Sequence, residues 1–346
     1  MSEPVVVALD VGGTGMKCAL VRPDGTVHHS ERHSTLAERG PAAVTGHILD
    51  VAAGLADRAR ADGLDPIAAG IAVPGVVDEV NGVAVWSSNV GFRDVPLRDL
   101  LTAKLGLPAA LGHDVRVGGI AEARLGAGRG QRHVLFVAIG TGIAAAFVLD
   151  GVGYAGAHGA AGEVGYLPFE AEQVELAKPT EPGVVGAGVA GAVGASPTRL
   201  AERRGMLEGA VGADAVVATA VALGMPRTDN PDGEAALGAK DVFDAARAGD
   251  GIALAAVRME AGRLAHAIAA VAAVLDPALI VLGGGIGGNA DLLLDPVREA
   301  LAELTPLRPE LAASTLGRDA VLMGAIATAL KTARDYVFES RSSEQG

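Results

Sequence analysis

An aspartate and a glycine-threonine turn end the first apolar run of the chain. Val5 to Leu9 leads into Asp10, which is followed by Gly12, Gly13 and Thr14. A β-branched run that stops at a carboxylate and two glycines predicts a buried strand entering a tight turn. The N–H groups and the threonine hydroxyl of such a turn can bind phosphate, and the carboxylate can orient Mg²⁺-bound water or a transferring phosphoryl group. The alternative is a carboxylate that only stabilises the turn.

A second turn of the same kind lies in HVLFVAIGTGIAAAFVLDG, residues 133–151, where Thr141 and Gly142 stand between two apolar runs. Two strand, Gly-Thr turn, strand units predict two similar lobes that face one another across a cleft. Each would offer a turn to the same ligand, and phosphate fits such a turn. Lys17 could reach a phosphate or be a solvated strand residue.

A third glycine cluster contains Gly284 and Gly285. It follows the apolar run Leu279 to Leu282 and precedes a predicted helix over 290–304. Glycines in this position allow the backbone to approach a nucleotide closely. Three such clusters, each directly after a β-rich run, indicate a nucleotide site more strongly than any one alone.

Asp114 is the candidate general base. It follows an apolar segment and begins a predicted helix, Val115 to Leu125. As a base, it would take a proton from a substrate hydroxyl while that oxygen attacks a γ-phosphoryl group. Aspartate at this position is also a common helix N-cap. The residues alone leave both interpretations open.

Asn89 in WSSNVGF and Glu163 in HGAAGEVGY are polar residues in glycine-rich or small-residue surroundings. Carboxylates and amides select hydroxylated ligands, because a ligand without the hydroxyl leaves the carboxylate or amide buried and unpaired. Each of the two could equally be an ordinary loop residue.

The elements around these residues alternate between strand and helix. A predicted amphipathic helix over 40–63 precedes a strand over 67–73 that Pro74 and Gly75 stop, and helices are predicted over 258–275 and 322–337. This order indicates an α/β fold. Periodicity does not predict the structure of 179–197, and the polar residues 340–346 are expected to fray.

Composition excludes several classes of function. The net charge is −13 over 346 residues and only 3% are aromatic, which opposes nucleic-acid binding. Cys18 is the single cysteine, so an internal disulfide and a cysteine-zinc site are excluded. No uncharged stretch reaches the roughly 18 apolar residues of a membrane helix, and the first residues are a poor signal peptide. We expect a cytoplasmic protein without membrane contact.

The chain resembles the ROK family (repressors, open reading frames and sugar kinases) of the actin, sugar-kinase and heat-shock ATPase superfamily. The resemblance lies in the order and content of LDVGGTGMK, VPGVVD, SSNVGFRDVPL, GHD, AIGTGIAAAFVLDG, GAAGEVGY and DPALIVLGGGIG. It implies a two-lobed actin-like ATPase fold of the ribonuclease H-like type. Repressor members carry a helix-turn-helix domain ahead of the first turn. With nine residues before Asp10, we expect none here.

The resemblance also implies roles for individual residues. Asp114 falls at the position of the family's catalytic base. Sugar contacts fall on Gly75, Asn89 and Glu163. The nucleotide segments match at Asp10, Gly12, Gly13, Thr14, Lys17, Thr141, Gly142, Gly284 and Gly285.

Two positions depart from the family's pattern. His113 stands where family kinases usually carry asparagine, and Tyr166 stands where they usually carry a histidine that also binds zinc. The zinc-binding CxCGxxGC segment is missing, so no structural zinc site is expected. Because both positions would border the sugar, a substrate other than glucose becomes an alternative to retained glucose specificity.

The sequence therefore predicts an ATP- and Mg²⁺-dependent kinase, a homodimer by resemblance, acting on a primary hydroxyl of a glucose-like sugar or a C7-cyclitol. The expected lobes are 1–112, completed by a helix over 322–338, and 113–321, with a flexible tail over 340–346. The alternatives are an N-acyl amino-sugar kinase and a non-catalytic protein that binds sugar or nucleotide.

Overall fold

The computed structural model describes residues 2–169, 205–226 and 237–343. The chain divides into two compact units. Unit 1 lies within Met1–Phe136, Ala145–Gly162 and Thr315–Gly346, and unit 2 lies within Val137–Ala144 and Glu163–Ser314.

Three sheets are described, and their strands are β1 (Glu3–Val11), β2 (Gly15–Val21), β3 (Val27–Ser34), β4 (Leu64–Val73), β5 (Val76–Asp78), β6 (Val83–Trp86), β7 (Arg93–Val95), β8 (Ala109–His113), β9 (His133–Ile139), β10 (Ile143–Leu149), β11 (Val152–Gly153), β12 (Leu279–Gly283) and β13 (Glu310–Ala313). Their orders are β3-β2-β1-β4-β8, β5-β6-β7 and β11-β10-β9-β12-β13. In the first sheet β1 pairs with β2 antiparallel and with β4 parallel, and β4 pairs with β8 parallel.

The described helices are α1 (Pro41–Ala61), α2 (Leu97–Leu105), α3 (Asp114–Leu125), α4 (Met206–Ala210), α5 (Ala213–Ala222), α6 (Ala239–Arg247), α7 (Gly251–Leu275), α8 (Gly284–Gly287), α9 (Ala290–Leu304) and α10 (Ala320–Ser343). None of these helices carries an apolar stretch long enough to cross a bilayer.

The central strands β1 and β4 of unit 1's first sheet are buried on both faces. Successive side chains of a strand point to opposite faces, so β1 contributes alternately to two cores. Val5, Val7 and Leu9 pack in one core with buried residues of α1 and α2, whereas Val6 and Ala8 pack in the other with α10. This explains why β1 is a continuous apolar run rather than an alternating one.

The helices predicted from periodicity are present with shifted ends. The predicted helix over 290–304 coincides with α9, but α7 begins at Gly251, seven residues before the predicted start at Arg258. The Asp250 carboxylate caps α7 by accepting a hydrogen bond from the Ala253 N–H, at 2.8 Å. The helix predicted over 322–337 extends through Ser343, so part of the expected tail is helical. The stretch 179–197 lies outside the described residues.

Close backbone packing between β4 and α10 depends on Gly70. A Cβ atom at Gly70 would lie 2.3 Å from the Ala325 carbonyl oxygen and 2.9 Å from the Ala329 nitrogen. Because both are backbone atoms, they cannot turn aside as a side chain could.

We therefore expect Gly70→Ala to destabilise the protein by roughly 1–3 kcal/mol. The matched control is Gly46→Ala within α1, where an added Cβ would meet nothing within 4 Å. That control should raise stability by roughly 0.5–1 kcal/mol, because alanine is the better helix former. Thermal unfolding of both variants makes the comparison. Equal stability of the two would contradict the packing described for β4.

Candidate functional site

Three predicted site residues of unit 1 lie at one edge of its first sheet. Asp10 is the penultimate residue of β1, Gly75 follows β4 and Asp114 follows β8. The three strands are neighbours in the sheet. Asp10 of β1 pairs with Ala72 of β4, and Val73 of β4 pairs with His113 of β8. Carboxyl ends of parallel strands meet at one edge, where α/β proteins commonly place ligands.

The Asp10 carboxylate is largely buried, and the ammonium group of Lys17 lies near it. Its side chain is 14% exposed, and Lys17, its cross-strand partner on β2, places Nζ 3.5 Å from Oδ2. Burial raises the pKa of the Asp10 carboxyl to about 6, against the lowering effect of Lys17. The negative charge of Asp114 raises this pKa further, so the two carboxyl groups are close enough to interact.

Lys17 is held inside unit 1 rather than solvated along its strand. Its Nζ donates to the carbonyl oxygen of Arg318 and lies 3.6 Å from the Asp319 carboxylate. Both residues belong to the 3₁₀ turn Gly317–Asp319, which precedes α10. Lys17 therefore links Asp10 to the start of that helix.

The first Gly-Thr turn is shaped by backbone contacts and by Thr35. The Gly12 N–H donates to the Gly15 carbonyl at 2.8 Å, and the Thr35 hydroxyl donates to the Gly12 carbonyl at 2.7 Å. Thr35 is fully buried, and its N–H donates to the Thr14 carbonyl at 3.1 Å. Sequence reasoning missed Thr35, because its only local signal is its position after a strand.

Gly13 and Asn89, far apart in the sequence, come together in unit 1. A Cβ atom at Gly13 would lie 3.3 Å from the Cβ of Asn89. Gly75 has a φ of +95°, and a Cβ there would lie 2.2 Å from the Trp86 carbonyl oxygen. Glycine is therefore required at Gly75 by both conformation and space.

His113, not Asp114, caps α3. The His113 Nδ1 accepts a hydrogen bond from the Arg116 N–H at 3.3 Å, and α3 begins at Asp114. The Asp114 Oδ1 accepts from the N–H of Val115 at 2.7 Å and lies 3.3 Å from the His113 Nε2. The cap considered for Asp114 thus falls on its neighbour.

An ion pair between Glu79 and the buried Arg116 fixes the main chain of His113. The Glu79 Oε1 accepts from the His113 N–H at 3.0 Å and from the Arg116 Nη1 at 2.7 Å. The Arg116 Nη2 donates to the Gly159 carbonyl at 2.8 Å, and Arg116 is 1% exposed. Sequence reasoning missed both residues, although a single arginine in the small and apolar run VRVGGIA is a signal for a buried partner.

In unit 2, the second Gly-Thr turn joins β9 to β10 and contacts the start of α5. The Gly140 N–H donates to the Gly142 carbonyl at 2.8 Å, and the Ala213 N–H donates to the Gly140 carbonyl at 2.9 Å. Thr141 is exposed at the tip of the turn. A Cβ at Gly142 would lie 2.2 Å from the Glu208 Oε1, so that carboxylate lies against the turn.

Glu260 supports the same region from α7. This 1% exposed carboxylate accepts from the Gly212 N–H at 2.7 Å, directly before α5. Burial raises the pKa of the Glu260 carboxyl to about 7, against the lowering effects of that hydrogen bond and of Arg263. Sequence reasoning assigned Glu260 only to a long helix.

The predicted adenosine segment lies beside the second turn. Gly284 has a φ of +80°, and a Cβ there would lie 2.3 Å from the carbonyl oxygen of Ile139, the residue before Gly140. At Gly285 an added Cβ would meet nothing within 4 Å. The two glycines thus differ: Gly284 is required by the fold, and Gly285 borders open space.

Glu163 directly precedes a 3₁₀ turn of unit 2, Val164–Tyr166, and Tyr166 is the last residue of that turn. The Tyr166 side chain is 43% exposed. Partial burial and the nearby charges of Glu163 and Glu208 raise the pKa of the Tyr166 hydroxyl, so it stays protonated and able to donate. Unit 1 therefore gathers Asp10, Gly12, Gly13, Thr14, Lys17, Gly75, Asn89, His113 and Asp114, and unit 2 carries Thr141, Gly142, Glu163, Tyr166, Gly284 and Gly285.

The raised pKa of Asp10 predicts a pH-dependent stability of the ligand-free protein. Below about pH 3.8 the folded and unfolded states both carry the proton, so Asp10 imposes no penalty on the free energy of unfolding. Between 3.8 and about 6 the folded state binds more protons, so its stability falls as the pH rises. Above about pH 6 the penalty is complete and is at most roughly 3 kcal/mol.

We expect Asp10→Asn to unfold at a higher temperature than the wild type at pH 7.5, with a difference that shrinks as the pH falls to 4. Calorimetry at several pH values measures it. The control is Asp24→Asn, because hydrogen bonds from Thr26 lower the pKa of this exposed carboxyl; no stabilisation at pH 7.5 is expected there. A pH-independent effect of Asp10→Asn would contradict the prediction.

Known proteins match almost the whole chain. Residues 6–332 match the ROK family. The chain is 31% identical over 333 residues to a glucokinase from Halalkalibacterium halodurans, covering 94% of each protein, and 29% identical over 332 residues to a glucokinase from Thermotoga maritima, covering 94% of this chain and 97% of that protein.

Solved structures share the fold. A ROK family glucokinase from Streptomyces griseus, in complex with glucose and AMPPNP, aligns with a TM-score of 0.72 at 24% identity, over 94% of this chain and 99% of that one. A ROK hexokinase from Thermus thermophilus aligns with a TM-score of 0.68 at 27% identity, over 96% and 99%. The α/β, actin-like ATPase fold expected from the sequence is confirmed. With a family match from residue 6 to residue 332 and relatives that align over 94% and 97% of their length, this chain belongs to the ROK family.

Proposed function

We propose that this protein is an ATP-dependent kinase that transfers the γ-phosphoryl group to a primary hydroxyl of a glucose-like sugar or a sugar-mimicking C7-cyclitol. The protein is a carbohydrate kinase in class, as its glucokinase relatives are. The single observation that carries the finer proposal is the edge of unit 1's first sheet, where Asp10 and Asp114 are electrostatically coupled beside a phosphate-type turn.

Asp114 is the proposed general base. Its carboxylate is fixed at the first residue of α3, with Oδ1 held by the Val115 N–H. A base must keep its oxygens at a constant position to meet the substrate hydroxyl within hydrogen-bond distance. The attacking oxygen loses its proton to Asp114 as it bonds to phosphorus, and the bond to the leaving ADP breaks.

The remaining residues bind and orient. In unit 1 we assign Asp10, the turn Gly12 to Thr14, and Lys17 to the phosphates of ATP. In unit 2 we assign Thr141 and Gly142 to phosphate, and Gly284 and Gly285 to adenosine. We assign Gly75, Asn89, Glu163 and Tyr166 to the acceptor sugar, and His113 to the immediate border of the sugar site.

Mg²⁺ would arrive with the nucleotide. Within the described residues no cluster of three or more histidine, cysteine or acidic side chains could hold a metal by itself. Mg²⁺ commonly binds substrate phosphates with only one or two carboxylates, and the largely buried Asp10 carboxylate fits such a partner. When bound, the ion neutralises negative charge on the phosphates.

The choice of acceptor rests on two residues. His113 is buried, and Tyr166 is a large, partly exposed phenol that remains protonated. We keep a C7-cyclitol, which lacks an anomeric centre, beside a glucose-like sugar because these two residues depart from the asparagine and histidine that are usual in the family. A homodimer in the cytoplasm remains part of this proposal.

The decisive experiment is an ADP-release assay with MgATP and a panel of acceptors, run beside Asp114→Asn. The panel contains glucose, mannose, N-acetylmannosamine, N-acetylglucosamine and 2-epi-5-epi-valiolone. We expect turnover of one acceptor that has no N-acyl group, and a loss of at least ~10²-fold in the variant, since the amide cannot take a proton. Turnover of an N-acyl amino sugar alone would make that sugar the acceptor in place of the proposed one. A folded, ATP-binding protein without turnover would support the non-catalytic alternative.

The assignment of the adenosine segment has its own test. Gly285→Ala should leave the unfolding temperature unchanged, because the added Cβ meets no protein atom within 4 Å. If ATP approaches this backbone, the same methyl group should raise KM for ATP about tenfold while KM for the sugar stays constant. Steady-state kinetics measure both constants. Gly54→Ala, at an exposed position of α1 where an added Cβ also meets nothing within 4 Å, is the control for glycine replacement itself. An unchanged KM for ATP in Gly285→Ala would remove Gly285 from the site.

A further inference from the structure

His113 faces inward in unit 1, and its ring is engaged by the protein. The side chain is 3% exposed. Its Nδ1 accepts the Arg116 N–H and so carries no proton in that hydrogen bond. The proton of the neutral ring is therefore on Nε2, the nitrogen that lies 3.3 Å from the Asp114 Oδ1.

The cap thus selects the tautomer. A ring that accepts at the helix N-terminus must present a donor at its other nitrogen, and that donor faces the carboxylate of the next residue. The main chain of His113 is fixed as well, because its N–H donates to Glu79, which is itself paired with Arg116. Arg116 in turn donates to the carbonyl of Gly159.

We propose that His113 is a positioning residue for Asp114, whose neutral ring donates from Nε2–H to hold the base's carboxylate, rather than a contact of the acceptor sugar. This inference rests on the proposed role of Asp114 as the base. Two donors then converge on Oδ1, the Val115 N–H from within the helix and the His113 ring from its cap. Together they restrict rotation of the carboxylate.

Three substitutions separate the two tasks of His113. His113→Ala removes the cap and the donor, His113→Ser keeps an oxygen that can cap, and His113→Asn keeps a capping oxygen together with an N–H donor. Thermal unfolding reports the cap, and kcat and KM for the acceptor report the base and the substrate contact separately.

We expect His113→Ala to lower kcat about 10- to 100-fold, the scale of a reacting group displaced by about 1 Å, with KM for the acceptor changed less than about threefold. His113→Ser should recover the unfolding temperature but not kcat, and His113→Asn should recover both to within several-fold. The matched control is Asp250→Ala, which removes the side-chain cap of α7 and should lower stability without lowering kcat.

The double variant His113→Ala with Asp114→Asn gives the sharpest result. If His113 acts through Asp114, adding His113→Ala to Asp114→Asn costs no further activity. A raised KM with an unchanged kcat in His113→Ala would overturn the proposal and make His113 a sugar contact. Full activity of Asp114→Asn would overturn the proposed base itself. Full activity of His113→Ala beside an inactive Asp114→Asn would overturn only the positioning role of His113.

Discussion

Burial of β1 and β4 on both faces is the constraint on which the site of unit 1 depends. With apolar side chains on each face, these strands have no place for a charged side chain except near their ends. Asp10 lies at such an end, and parallel pairing brings the ends of β4 and β8 to the same edge. The position of the polar residues is thus a consequence of how the core is packed.

The edge brings two carboxylates together, and each has a basic group beside it. Lys17 lies next to Asp10, and the His113 ring lies next to Asp114. Burial is the main cause of the raised pKa of Asp10, and the negative charge of Asp114 raises this pKa further. Two carboxylates at one edge also attract cations, in keeping with the proposed magnesium complex of ATP.

Sequence patterns predicted those features of the structure that depend on a few neighbouring residues. The first strand, the two Gly-Thr turns and the helix over 290–304 each depend on a few neighbouring residues, and the structure contains all of them. The start of α7 was missed because Gly251 resembles a break, whereas the Asp250 cap begins the helix there. Thr35, Glu79 and Glu260 were missed because each acts through a partner distant in sequence, which a single sequence does not reveal.

The contribution of α10 to the first sheet also bears on how the protein is made. The residues of β1, β4 and β8 are synthesised early, but one of the two cores around them needs Ala325, Ile326 and Ala329, which follow β8 by about two hundred residues. Contacts so distant in sequence slow folding, and exposed apolar faces favour aggregation in the meantime. On the ribosome, one face of the nascent sheet therefore stays exposed to solvent until α10 emerges from the exit tunnel.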